Sequence, residues 1–341
     1  MIRVLVADDS PTARALLLAI LGSDPEIQVV GEARNGAEAV EMTRRLRPDA
    51  VTMDIRMPGM DGFEATKEIM ITAPTPIIIV TSSVVIENVE TSMHTLRAGA
   101  LGLLAKPAGP GSPGFEEAAQ QLIVNVKSLS QVKVVRHWRP PEEKAPLIPP
   151  SNKRVRVVAM VCSTGGPAAL HRIFADLPAA FPIPILIVQH ITQGFCAGLA
   201  DWLNKEGNLH VKMARDGEPL KGHTAYLAPD DRHLGVSSGG EILLANSPPV
   251  GGFRPSGTFM FESVAKVYGP AALAVILTGM GEDGVAGLTA VRQAGGRILV
   301  QDEKTSVVFG MPGAAINQGL ADQVLPLDAM AARLVELLSS P

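Results

Sequence analysis

The 341-residue sequence predicts an α/β chain: two doubly wound parallel-sheet domains joined by a proline-rich linker. Three observations carry that reading. Short Val- and Ile-rich runs alternate with amphipathic helical stretches in both halves, the pattern of repeated strand–helix units. The length exceeds what one hydrophobic core serves. Between the halves, residues 128–153 place five prolines among polar residues, which reads as an extended, semi-rigid spacer.

In the first half, residues 1–127, the expected strands are Ile2–Ala7, Ile27–Gly31, Ala50–Met53, Ile77–Val80 and Leu101–Ala105. Ser10-Pro11 supplies an N-cap and a first-turn proline for the helix after the first strand. Ala39, Val40, Met42, Thr43 and Leu46 recur at helical spacing and predict a helix over Ala37–Leu46. The second half, residues 154–341, repeats the pattern with Val155–Val161, Ile185–Val188, Ala271–Leu277 and Arg297–Val300. Residues 223–245 read instead as short hairpin strands, a small antiparallel insertion in an otherwise parallel sheet.

Composition narrows the classes. With 46% apolar and 19% charged residues the chain is a compact globular protein rather than a disordered one. A net charge of −4 with scattered Lys and Arg argues against a nucleic-acid or anionic-membrane partner. Two cysteines, Cys162 and Cys196, give neither a disulfide framework nor a zinc spacing. No signal peptide and no apolar run near the ~18 residues of a bilayer span is present, so a soluble cytoplasmic protein, a monomer without membrane insertion, is expected.

The chemistry-bearing residues fall where strands end. Asp8 and Asp9 follow the first strand, Asp54 the third, Thr81 the fourth and Lys106 the fifth. In a doubly wound sheet those carboxyl ends share one edge, where ligands bind. Three carboxylates gathered there invite a hard cation such as Mg²⁺. One of them can then accept a phosphoryl group that Lys106 and the Thr81 hydroxyl neutralise and hydrogen-bond.

In the second half, Ser163-Thr164-Gly165-Gly166-Pro167 marks a strand–turn–helix junction. It suits a nucleophile, a phosphate cradle or a helix cap. Nucleotide fingerprints and the G-x-S-x-G elbow are absent, Val161 standing at the elbow's first glycine. His190 ends the next strand, and Asp283 lies in a Gly-rich loop after a third. A hydroxyl needs a base, and the base a carboxylate, so these three types make a nucleophilic set. Each has a plainer alternative: Ser163 as a helix cap, His190 as a buried histidine bonded to a carbonyl, Asp283 as a cap for the helix near Gly284. Cys162 is a rival nucleophile that strand alternation turns to the other face, and His233 is a rival base.

The first half resembles the receiver domain of two-component response regulators, a flavodoxin-like fold. Asp8-Asp9, Asp54, Met57-Pro58-Gly59-Met60-Asp61-Gly62, Thr81 and Lys106 carry the resemblance. It implies phosphorylation of Asp54 by a histidine kinase's phosphoryl group and Mg²⁺ held by Asp8, Asp9, Asp54 and the Arg56 carbonyl. It also implies phosphoryl sensing by Thr81 and Lys106. Leu103 stands where many receivers carry a Tyr or Phe switch. The second half resembles the catalytic domain of chemotaxis-type protein-glutamate methylesterases. The matching motifs are Ser163–Pro167, Val188-Gln189-His190, Phe253-Arg254-Pro255-Ser256, Leu277–Gly284, Gln301-Asp302-Glu303 and Val308–Pro312.

This second resemblance implies Ser163 as nucleophile, His190 as base, Asp283 as its orienting acid, the Met280 N–H as oxyanion donor and Thr164 close by. It implies no cofactor in that domain. The implied substrates are glutamate γ-methyl esters, and glutamines, on methyl-accepting chemotaxis receptors. Three departures stand out: Val161-Cys162 for the usual Gly-Ala before the serine, Ile191-Thr192 for Met-Pro after the histidine, and Gly257-Thr258 for Val-Asp after Arg-Pro-Ser. A non-catalytic signalling module and a hydrolase of other esters are the competing readings. Trp138, between Arg136 and Arg139, is a candidate docking residue in the linker.

Overall fold

A computed structural model describes residues 1–82, 95, 98–132 and 155–339. The chain divides into two compact units, Met1–Glu142 and Glu143–Pro341. In the first, strands β1 (Ile2–Ala7), β2 (Ile27–Ala33), β3 (Ala50–Met53), β4 (Ile77–Thr81) and β5 (Gly102–Ala105) form one parallel sheet in the order β2-β1-β3-β4-β5. Strand β3 is buried at every residue, as expected of a strand covered by helices on both faces. The order reverses between β1 and β3, so the ends of those strands open on the crevice where such sheets bind ligands. Local chemistry sets the helix starts. The Ser10 side chain accepts from Ala13 N–H, Asn35 from Glu38 N–H and Asp61 from Glu64 N–H. The last described helix of the unit covers Phe115–Leu129 and so runs two residues past the expected boundary at 127. The rest of the linker from residue 133, Trp138 included, lies outside the described residues.

The second unit has seven parallel strands in the order β14-β13-β12-β6-β7-β9-β8. They are β6 (Val157–Cys162), β7 (Ile185–Gln189), β8 (His210–Met213), β9 (Thr224–Leu227), β12 (Ala272–Ile276), β13 (Arg297–Gln301) and β14 (Gln323–Leu325). The antiparallel insertion is β10 (His233–Val236) against β11 (Ile242–Ala245). This corrects one expectation. Thr224–Leu227 is not a hairpin strand: it pairs in parallel with β7 and β8 and is buried throughout. Tyr226 inside it is fully buried, its hydroxyl donating to Pro219 O and accepting from Lys221 N–H. Strands β8 and β14 were not expected; each is a short edge strand. Among the described residues no helix is long and apolar enough to cross a membrane.

Candidate functional site

At the carboxyl edge of the second sheet, β6 and β7 pair in register through Cys162 and Gln189. Ser163 and His190, the next residues, therefore start side by side, and His190 N–H donates to Cys162 O at 2.9 Å. Gln189 binds the two turns together: its Nε2 donates to Ser163 O at 2.8 Å and to His190 O at 2.7 Å. On the other flank Ser163 N–H donates to Thr278 O at 3.0 Å, which brings the loop after β12 against the serine. Gly279 lies so close that a Cβ there would sit 2.8 Å from Ser163 Cβ. Sequence reasoning missed Gln189 as a tie, although its place immediately before His190 at a strand end was visible.

The plainer alternatives for Ser163 and His190 do not hold. The helix after Ser163, Gly166–Asp176, is capped by Gly165 at φ 80° and takes no side-chain cap bond, so the Ser163 hydroxyl is not spent there. His190 makes no carbonyl hydrogen bond; both ring nitrogens are buried without a partner by strict geometry. Its Nε2 nonetheless lies 2.9 Å from Asp283 Oδ2, close in distance but off the line of a well-directed N–H···O bond. Such contacts tighten when substrate binds. The ring thus turns Nε2 to the acid, and Nδ1 makes no hydrogen bond, to Ser163 or to any other described group. The His190 ring stacks on Phe253, centroids 4.5 Å apart and planes 19° from parallel. Neither Phe253 nor this ring orientation was predicted.

Asp283 does receive helix-terminal donors, but not from the helix that follows it. The Val285–Gln293 helix takes no side-chain cap from it. Instead its Oδ1 accepts from Ser256 Oγ at 2.8 Å and Thr258 N–H at 3.2 Å, and its Oδ2 from Gly257 N–H at 2.6 Å. Those groups belong to the start of the Gly257–Tyr268 helix, whose N-cap is Ser256. Burial alone would push the carboxyl up. The His190 contact and the Gly257 and Ser256 hydrogen bonds outweigh it and hold Asp283 below the ordinary carboxylate value. Cys162, the rival nucleophile, is fully buried with its Sγ 3.0 Å from Gln189 Oε1, and burial pushes its thiol well up. A protonated, enclosed thiol does not attack. His233, the rival base, is enclosed between Phe259 and Pro248 O. Thr164, next to the serine, and Met280, next to Gly279, are both half-buried.

In the first unit, ligand oxygens of Asp8, Asp9 and Asp54 lie within 4.8 Å of one another. Lys106 Nζ reaches Asp8 Oδ2 at 2.7 Å and Asp54 Oδ2 at 2.6 Å. Burial, with a lesser push from the Asp8 charge, raises the Asp54 carboxyl above its ordinary value and outweighs Lys106. Thr81, the last residue of β4, is buried, and its hydroxyl has no hydrogen-bond partner among the described residues. The donor set fits a hard divalent cation: carboxylate oxygens with one member, Asp9, exposed.

Together the two units define a class: a parallel-sheet domain with an acidic, lysine-balanced pocket, followed by a hydrolase-type domain with serine, histidine and aspartate at one sheet edge. Residues 158–334 match the CheB methylesterase family model and residues 4–112 the response regulator receiver domain model. The chain belongs to the CheB methylesterase family, with a receiver domain at its amino-terminal end. It is 55% identical to protein-glutamate methylesterase/protein-glutamine glutaminase 4 of Myxococcus xanthus over 98% of this chain and 96% of that one. It is also 55% identical to protein-glutamate methylesterase/protein-glutamine glutaminase 3 of Anaeromyxobacter dehalogenans, over 98% of each. The crystal structure of the Thermotoga maritima CheB methylesterase catalytic domain aligns with a TM-score of 0.52 and 41% identity, covering 54% of this chain and all of that one.

Proposed function

We propose that this chain hydrolyses glutamate γ-methyl esters, and deamidates glutamines, on methyl-accepting chemotaxis receptors under phosphoryl control from a histidine kinase. The observation that supports it most is the set at one sheet edge: a serine hydroxyl free of capping duty, a histidine 2.9 Å from an acid, and that acid held ionised by a helix start. Ser163 Oγ attacks the ester carbonyl and its proton passes to His190. With Nε2 facing Asp283, Nδ1 is the nitrogen that takes the proton. The Met280 N–H binds the developing oxyanion, and Thr164 helps line the site. His190 returns the proton to the departing methoxide, which leaves as methanol. A water molecule then repeats the sequence on the acyl-serine and frees the carboxylate. From a glutamine the leaving group is ammonia. Asp283 stays ionised and stabilises the imidazolium.

The receiver spans residues 1–127, the linker 128–153 and the catalytic domain 154–341 in this reading. Asp54 accepts the phosphoryl group, and Thr81 and Lys106 contact it. Mg²⁺ bound by Asp8, Asp9 and Asp54 would neutralise the charge of the incoming group. The experiment is methanol release from a methylated receptor fragment by the full chain. Wild type is expected to release it and Ser163→Ala to reduce release by at least about 10³-fold. Unchanged release in Ser163→Ala contradicts the nucleophile, and hydrolysis of small esters but not of the receptor contradicts the substrate.

A further inference from the structure

Gly257 donates the shortest of the hydrogen bonds that hold Asp283, 2.6 Å to Oδ2. Nothing in its backbone calls for glycine, because it is not among the residues at positive φ. What calls for glycine is space. A Cβ at Gly257 would lie 2.6 and 2.7 Å from the two Cγ atoms of Val161 and 3.2 Å from its Cβ. Val161 is fully buried, two residues before Ser163 on β6. The same side chain reaches the other side of the acid, since a Cβ on Gly284 would sit 3.7 Å from Val161 Cγ1. Its carbonyl accepts from Leu277 N–H at 3.0 Å, at the start of the loop that carries Asp283. Val161 thus touches both the acid's loop and the helix start that binds the acid. These are also two of the departures noted in the sequence: the resemblance leads one to expect glycine at 161 and valine at 257, and here the two residue types are exchanged.

We infer that Val161 and Gly257 are a matched pair, in which the Val161 side chain fills the space a side chain at 257 would need and sets how closely the helix start meets Asp283. Both are positioning residues that act on the reaction through Asp283. The inference rests on the triad reading above. Interiors are packed tightly enough that the three carbons of an added valine side chain cannot be absorbed without moving something. The mobile partner is the helix start, which would carry the Gly257 N–H away from the carboxylate.

The test is a cycle in the full chain: Gly257→Val, Val161→Gly and the exchange of both, each assayed for methanol release and for thermal midpoint. Gly257→Val is expected to lower kcat about 10- to 100-fold with KM little changed, the cost of a misplaced catalytic group. Its acid limb should move to higher pH as Asp283 loses a donor. The exchange variant should recover kcat to within about fivefold of wild type, the non-additivity expected of residues in contact. Wild-type kcat in Gly257→Val, or an exchange variant no better than Gly257→Val, would overturn the pairing. If Ser163→Ala leaves methanol release unchanged, the triad reading fails on its own. The thermal midpoints then still decide the packing: recovery in the exchange variant supports the pair, and strictly additive losses overturn it.

Discussion

Asp283 joins the demands of the fold to those of the proposed chemistry. A carboxylate 7% exposed is costly unless every oxygen is satisfied. Here three donors from one helix start and the His190 ring meet that cost. The sign of the pH effect follows. A carboxyl held below its ordinary value of 3.8 stabilises the fold above that value, and the contribution is lost as pH falls through the depressed one. Asp54 has the opposite sign: raised by burial, its ionised form costs stability as pH rises through its folded value. Asp283→Asn should therefore flatten the acid dependence of the thermal midpoint below about pH 4. It should also lower kcat by about 10³- to 10⁴-fold, because the imidazole loses the group that stabilises its cation. A midpoint profile identical to wild type, or a kcat within tenfold of it, would contradict this role. The three residue types were legible in the sequence because each follows an apolar run. The orientation of the imidazole toward Asp283 was not, since it depends on Phe253 and on where the Gly257–Tyr268 helix begins.

At the scale of elements, the loops after parallel strands do the positioning. The turn after β6 is glycine-rich because the loop after β12 and Val307 crowd it: a Cβ on Gly165 would lie 2.6 Å from Val307 Cβ, and Gly165 is itself at φ 80°. Gly279 faces Ser163 Cβ at 2.8 Å by the same measure, and its N–H and carbonyl are both tied to the Val308–Met311 segment. Gly279→Ala should push the serine turn or the loop aside and lower kcat by about 10-fold or more while the thermal midpoint shifts by a few degrees. Unaltered kcat would mean the turn has slack. Strands with continuous β-branched or aliphatic runs, such as β4 and β7, were readable from their residues alone. Strand β9 was misread because Thr224–Leu227 sits beside a true hairpin and is flanked by Gly222 and Pro229, so local turn signals hid a parallel, buried strand. Strand β14, three residues long, carries too little pattern to register.

Across the whole molecule, both units place their reactive groups at the carboxyl ends of a parallel sheet, and the chemistry divides between them. The first gathers carboxylates and a lysine, which suits a cation and a phosphoryl group; the second gathers a hydroxyl, an imidazole and one ionised acid. The neighbours of the Ser163–Pro167 segment narrow what it can do. Its hydroxyl is not a cap, Cys162 behind it is enclosed, and Val161 finds room against Gly257. Control by phosphorylation makes a prediction at this scale. With Mg²⁺ and acetyl phosphate, methanol release by the full chain should rise. Asp54→Asn should abolish the rise, and so should removal of Mg²⁺ with a chelator. A rise that survives Asp54→Asn would place the phosphoryl acceptor elsewhere.

In the proposed reaction Ser163 carries the acyl group. Rapid quenching of the full chain during turnover of a glutamate γ-methyl ester peptide, followed by mass analysis of its proteolytic fragments, tests that claim directly. A glutamyl adduct is expected on the fragment that contains Ser163, absent in Ser163→Ala and accumulating in proportion to the methanol burst. An adduct assigned to Cys162, or methanol release in Ser163→Ala at the wild-type rate, would contradict it.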